Sequence, residues 1–206
     1  MKVLLINGSP HEKGCTYTAL SLIAGELNTA GIDTEILHVG GKPVGGCIGC
    51  GGCRSGNGCV FGGVVNEAIE KAKTADAFVF GSPVHYASAA GNMASFMDRL
   101  AYAGGKYLAY KPAAICCSAR RAGTTSTLDQ LVKYPQFFHM PLVNGSYWAM
   151  VHGSNPEQVL QDAEGCAVMQ ELGRNMAWLL RCIEAGKAAG IDHPQNPPRP
   201  MTSFIR

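Results

Sequence analysis

Charge is scarce in this chain and neither sign dominates. Charged residues are 16% of the 206 positions, and 17 Lys and Arg against 15 Asp and Glu leave a formal net charge of +2. That balance lacks the basic footprint of a nucleic-acid binder. It equally lacks the acidity of a small carrier that docks on basic partners. Long apolar runs are missing too. No window approaches the roughly 18 apolar residues needed to span a bilayer. The opening run turns polar at Asn7-Gly8-Ser9, too early for a secretory signal. Three phosphate signatures are also absent. There is no G-x-G-x-x-G, and Gly8 and Gly14 have five residues between them, one more than a P-loop, with Cys15 where a P-loop places lysine. No arginine completes a C-x5-R phosphatase motif after Cys15.

What the chain does have is apolar residues (47%), 26 glycines and nine cysteines. The first is enough for a sizeable core in one α/β domain over residues 1–206. An odd number of cysteines, with Cys116 and Cys117 adjacent, does not read as a disulfide framework. The expected compartment is therefore a reducing cytoplasm, where clustered thiols serve metal or redox chemistry.

Short apolar runs alternate with helix-period segments. Strands are expected at 3–6, 34–39, 77–80, 113–117 and within 141–151. Helices are expected at 16–27, 64–72, 91–102, briefly around Leu128 and Leu131, and from Pro156 to about residue 189 with a break near Gly165. Leu179 and Ile183 extend the apolar stripe of that last helix. Five strands joined by crossover helices predict a parallel sheet covered on both faces. Residues 40–63 form a long Gly- and Cys-rich loop without periodicity, and loops of that length are usually functional. From residue 190 the proline-rich tail is irregular and a candidate to lie on a neighbouring subunit. Cys116 and Cys117 read as packing residues of a buried strand, Cys166 and Cys182 as structural, and Trp148 and Trp178 as core or interface.

Ligands of doubly wound sheets bind at the carboxyl ends of strands, and three loops there carry suitable chemistry. The loop 7–18 offers hydroxyls at Ser9, Thr16 and Thr18 together with free amides at a helix start, a cradle for a monophosphate or an ordinary helix cap. The loop 81–88 combines Pro83 with the rings of His85 and Tyr86, suited to a flat aromatic ligand. The loop 118–125 sets Arg120 and Arg121 beside Gly123 and Thr124. Cys47, Cys50, Cys53 and Cys59 read C-x2-C-x2-C-x5-C, four thiols in thirteen positions. Such spacing can surround a cubane cluster. Zinc sites more usually separate two C-x-x-C pairs, and free or oxidised thiols at a subunit surface are the remaining alternative.

The segments INGSPHEKGCTYTAL and GSPVHYASAAGNMASFMDR, with the cysteine loop, resemble the NAD(P)H-dependent FMN reductase and iron–sulfur flavoprotein family over about residues 1–185. The resemblance implies a flavodoxin-like three-layer sandwich with a five-stranded parallel sheet in the order 2-1-3-4-5. It implies FMN, with Ser9, His11, Cys15, Thr16, Tyr17 and Thr18 round the phosphate. Pro83, Val84, His85, Tyr86 and Ser88 would line the isoalloxazine, with Ser118, Arg120, Arg121, Gly123 and Thr124 on its far edge. A guanidinium there would stabilise negative charge at the N1/C2 edge of the ring. It implies a [4Fe–4S] cluster on Cys47, Cys50, Cys53 and Cys59, and dimers or tetramers. His11, Cys15 and His85 depart from the residues common at those positions. The expected activity takes a hydride from NAD(P)H and passes electrons to a quinone, a flavin, a cluster or a redox protein. A non-enzymatic electron carrier is the alternative.

Overall fold

The computed structural model describes residues 1–198 and 200–202; the tail expected from residue 190 falls outside the described residues at 199 and 203–206. Strand β1 (Lys2–Asn7) shows how the sheet is built. Side chains alternate between its faces. Val3 and Leu5 enter one apolar cluster with α1 (Cys15–Thr29) and α6 (Ala163–Ala188). Leu4 and Ile6 enter a second, with α2 (Val64–Thr74) and α3 (Gly91–Gly104). Strands β3 (Ala77–His85) and β5 (Ala113–Ala119) divide in the same way: Val79 and Cys116 face the first layer, Phe80 and Ile115 the second. Burial on both faces is why these strands read as continuous apolar runs.

β2 (Asp33–His38), β1, β3, β5 and β6 (Met150–His152) pair in parallel in that order. A two-residue β4 (Ser88–Ala89) turns back antiparallel on β3. With that hairpin set aside, the order is the expected 2-1-3-4-5. Neighbouring strand ends are stitched together where the loops begin: Gly8 N–H donates to Gly81 O at 2.9 Å, and Gly153 N–H to Ala119 O at 3.0 Å.

Several boundaries differ from expectation. β3 does not stop at Gly81-Ser82-Pro83 but continues to His85, because Ser82 and Pro83 still pair with Cys117 and Ser118 of β5. The short helix around Leu128 is α4 (Thr124–Phe137), with Pro135 in its last turn, where the missing N–H costs the helix its bond to the Leu131 carbonyl. The fifth parallel strand is only Met150–His152. The last helical stretch is broken into α5 (Pro156–Val159) and α6, and Asp162 at the break caps α6 by accepting from Gly165 N–H. Its stripe drifts to Leu180, leaving Leu179 and Ile183 half-buried. Trp148 and Trp178 are exposed, not core, and Cys182 is exposed as well. The tail reaches back over its own chain, where the His193 ring stacks on Tyr110 with centroids 4.4 Å apart.

Candidate functional site

Helix α1 begins with its donors unanswered. Its N-cap, Gly14, has no side chain to offer, and the first closed bond runs from Thr18 N–H to Gly14 O at 3.0 Å. The N–H groups of Cys15, Thr16 and Tyr17 therefore have no acceptor within the helix. At α4 the N-cap is again a glycine, Gly123, and Thr127 N–H is the donor that closes on it. By contrast α5 and α6 are closed by side chains, Asn155 on Gln158 N–H and Asp162 on Gly165 N–H. Helices α2 and α3 also start without a side-chain cap, at Gly63 and Ala90, and an uncapped first turn is a place where an anion is favoured.

The loop before α1 is held rigidly. Asn7, fully buried, accepts from Ser9 N–H at 3.1 Å and donates through Nδ2 to Glu12 O at 2.9 Å. Ser9 Oγ accepts from His11 N–H, and the His38 ring nitrogen Nε2 lies 2.7 Å from Ser9 O. Ser9 is buried, His11 is exposed, and Cys15, Tyr17 and Thr18 are half-buried. Burial pushes the Cys15 thiol up from its ordinary value, and its Sγ donates to Gly153 O at 3.5 Å.

Thr16 and Ser118 join this loop to β5. Their hydroxyl oxygens are 2.8 Å apart in a buried contact. Thr16→Val strands the Ser118 hydroxyl, so a loss of about 1–3 kcal/mol is expected in urea unfolding. The double variant Thr16→Val/Ser118→Ala should cost less than the sum of the single ones, and strict additivity would deny the coupling.

The second and third loops form one unit. After His85 the chain reverses through Tyr86 and Ala87, with φ of +50° and +57°. Gln130 Oε1 on α4 accepts from Ser88 Oγ at 2.6 Å and from Ala89 N–H at 2.8 Å, while Ser126 Oγ donates to Ala87 O at 2.7 Å. Ser82 Oγ accepts from Ala90 N–H and donates to Pro83 O. Gly123 adopts φ +89°, and a Cβ there would lie 2.7 Å from Ala87 Cα, so the hairpin rests directly on the start of α4. Pro83, Val84 and Ser88 are half-buried, and His85 and Tyr86 are exposed. Ser118 and Thr124 are buried, Gly123 half-buried, and Arg120 and Arg121 exposed. The structure thus gathers the residues expected round the phosphate and the ring at one sheet edge.

The cysteine loop is different. Cys47 and Cys50 are exposed, Cys53 and Cys59 half-buried. Among the described residues no three His, Cys, Asp or Glu side chains group to hold a metal ion, so the four thiols are not brought together. Helix α3 anchors the loop at both ends. Asn92 Nδ2 donates to Gly40 O and Lys42 O, and its Oδ1 accepts from Val44 N–H. Arg99, only 6% exposed, donates from Nε to Cys59 Sγ at 3.2 Å, from Nη1 to Gly45 O at 3.3 Å and from Nη2 to Gly62 O at 3.0 Å. Four thiols with a buried cation aimed at one sulfur suit an anionic iron–sulfur cluster in donor chemistry, though not in arrangement. Sequence reasoning missed Asn7, His38, Asn92, Arg99 and Gln130. Only Arg99 had a local signal, a charge on the helical face shared with Phe96.

Burial raises the thiols of Cys116 and Cys117, the second to about 12, so both stay neutral and unreactive. A hollow of about 1070 Å³ opens at the opposite end of the sheet between Tyr110, Lys111 and the end of α6, away from the strand carboxyl ends.

Comparison with known proteins agrees with this geometry. An iron–sulfur flavoprotein of Methanocaldococcus jannaschii is 27% identical over 192 residues, 89% of this chain and 100% of that protein. The structure of RosB with bound 8-demethyl-8-formylriboflavin-5'-phosphate has a TM-score of 0.71 at 14% identity, covering 100% of this chain and 94% of that one. An archaeal flavodoxin gives a TM-score of 0.60 at 14% identity, covering 88% and 99%. At such identities the two structures speak for the flavodoxin-like fold alone. Among the described residues no helix is long and apolar enough to cross a membrane. The profile of the NADPH-dependent FMN reductase family matches residues 1–155, and the chain belongs to that family of FMN-binding oxidoreductases.

Proposed function

We propose that this protein is a cytoplasmic NAD(P)H-dependent flavin reductase holding FMN across the carboxyl ends of β1, β3 and β5. The observation that carries the reading is the uncapped first turn of α1, tied to the end of β5 just before α4 by the buried Thr16–Ser118 contact. Bound there, FMN supplies hydride acceptance from NAD(P)H and electron delivery to a quinone, a free flavin, a cluster or a redox protein.

The chain's own part is placement and electrostatics. The amides of Cys15, Thr16 and Tyr17, with the hydroxyls of Ser9, Thr16 and Thr18 and the ring of His11, hold the phosphate. Backbone amides cost no reorganisation, which favours a tightly held group over a passing substrate. Pro83, Val84, His85, Tyr86 and Ser88 bear on the ring, their hairpin fixed by Gln130. Ser118, Gly123 and Thr124 close the far edge, where Arg120 or Arg121 balances negative charge at N1. Cys47, Cys50, Cys53 and Cys59 are proposed to close round a [4Fe–4S] cluster once iron is supplied, since glycine-rich chain between them leaves the backbone free to rearrange. A second copy of the chain, as a homodimer or homotetramer, would cover the open edge of the ring.

Anaerobic titration of the protein with FMN tests this. Expected are a yellow complex with quenched flavin fluorescence, bleaching by NADPH or NADH, and gel filtration as a dimer or tetramer. A colourless protein that rejects FMN overturns the cofactor reading. Binding without bleaching, and without turnover on an artificial acceptor, leaves an electron carrier. A monomer at micromolar concentration removes the second copy.

A further inference from the structure

Strand β5 has an edge that the rest of the sheet leaves partly open. Along a parallel strand, successive residues turn their N–H and C=O to opposite neighbours. Phe78 N–H donates to Pro112 O, so the β3 side takes Ala114 and Cys116, and Ala113, Ile115 and Cys117 face the other way. On that outer side Ala113 is met at both groups, by Pro141 O and by Val143 N–H, each at 2.9 Å. Cys117 N–H finds Ala149 O at 3.0 Å, and β6 pairs onward from there with Cys117–Ala119. Ile115, between these fixed points, is passed over. Among the described residues neither its N–H nor its C=O has a hydrogen-bond partner, although the residue is only 8% exposed. Orphaned backbone groups of this kind are rare. The chain that could have answered them, 144–148, is drawn off to α6. Ser146 N–H donates to Glu171 Oε2 at 2.7 Å, and Asn175 Nδ2 to Asn144 O at 2.8 Å. What remains is a hollow of about 500 Å³, its lining including Ile115, Leu128, Asp129, Val132, Tyr147 and Trp148. The rings of Tyr147 and Trp148 meet edge to face at 4.6 Å, and both are exposed.

We propose that this hollow is a binding site for a small, flat, uncharged heteroaromatic molecule with a lactam edge, a ring N–H beside a C=O. An extended residue presents its own N–H and C=O side by side. A lactam edge answers both at once, donating to Ile115 O and accepting from Ile115 N–H, and so satisfies the two orphaned groups. A peptide strand does not fit the same slot. Ala113 and Cys117 are already bonded on this side, so the edge is open at one residue only. The apolar walls and the two rings suit the faces of an aromatic molecule. The Asp129 carboxylate in the lining disfavours an anion. None of these lining residues belongs to the three loops proposed to hold FMN, so the site stands apart from that reading.

The test uses the full chain, with and without added FMN, and two probes: isocarbostyril, a bicyclic aromatic lactam, and its N-methyl derivative, which lacks the donor. Trp148 and Trp178 are the two tryptophans of the chain, and Trp178 is exposed on α6, so Trp178→Phe leaves Trp148 as the reporter. Quenching of Trp148 and the amide resonance of Ile115 in the nitrogen-15-labelled protein are followed through each titration. Isocarbostyril is expected to quench saturably and to shift the Ile115 resonance, equally with FMN present or absent. The N-methyl derivative should bind about tenfold more weakly or worse. Trp148→Ala, read at the Ile115 amide, should weaken isocarbostyril about tenfold. Equal binding of the two probes, or an Ile115 resonance that stays in place, overturns the proposal, as does the absence of quenching at about 1 mM probe. Displacement of the probe by FMN would put it in the flavin groove and overturns the proposal too, whereas a protein that binds the lactam but no FMN leaves this site standing and removes the cofactor reading.

Discussion

Alanine at position 40 is expected to lower FMN affinity about 100-fold, close to 3 kcal/mol, and to cost about 1–3 kcal/mol of stability through overpacking. Gly40 follows β2 and lies flat on the loop proposed to hold the phosphate. A Cβ there would sit 2.1 Å from Ser9 O, 2.4 Å from Ser9 C and 2.6 Å from Gly8 O. All three are backbone atoms, so no rotamer change relieves the contact. Ser9 O cannot retreat freely, because the His38 ring nitrogen holds it at 2.7 Å. Val39 N–H, donating to Asn7 O at 2.9 Å, fixes the approach of β2. The loop must therefore move as a body, and the free amides of α1 move relative to the Thr16–Ser118 bond that sets their aim. Gly25→Ala is the control. A Cβ at that helical position meets nothing within 4 Å, and a gain of about 0.5–1 kcal/mol is expected there. Flavin fluorescence titration and urea unfolding of both variants check this. Wild-type affinity and stability in Gly40→Ala would show that the loop is not pinned by β2.

That prediction could not have been made from the sequence. Residues 3–6, 77–80 and 113–117 were legible as strands because burial on both faces leaves no polar interruption, while their order came only with the family resemblance. The ends were less legible. Gly81-Ser82-Pro83 reads as a stop, yet in the fold Ser82 and Pro83 are held in register by β5. β6 is three residues long and borrows its place from Cys117–Ala119, so no local pattern marks it. The chemistry of the three loops was readable, since hydroxyls, glycines and helix starts lie close in sequence. Their supports were not, because Gly40, His38 and Gln130 arrive from other elements. The cysteine loop shows the same division. Its spacing is written in thirteen residues, but the cation that meets Cys59 lies forty positions away.

Stability is expected to fall steeply above pH 9, with Cys117 as a main cause. Burial raises this thiol from 9.0 to about 12, and Cys116 beside it is raised further in the same direction. The folded chain thus favours the neutral thiol. Below pH 9 both states keep the proton and the thiol's contribution is complete. Between 9 and 12 the unfolded chain releases a proton that the folded chain retains, so stability drops by about 1.4 kcal/mol per pH unit for each such thiol. For Cys117 that comes to about 4 kcal/mol by pH 12, after which the loss levels off. Lysines and tyrosines titrate in the same window, and comparison with Cys117→Ala removes their contribution. The variant loses the sulfur's packing and its contact with Thr124 O, so at pH 7 it should be the less stable by about 1–2 kcal/mol. Because it carries no thiol to ionise at that position, the ranking should invert before pH 12. Urea unfolding at neutral and alkaline pH decides this, and parallel stability curves for the two proteins would mean that the thiol is not sealed in the sheet. An inversion would also confine redox chemistry of the cysteines, since a thiol held neutral one residue before Ser118 is a poor nucleophile beside the proposed flavin site.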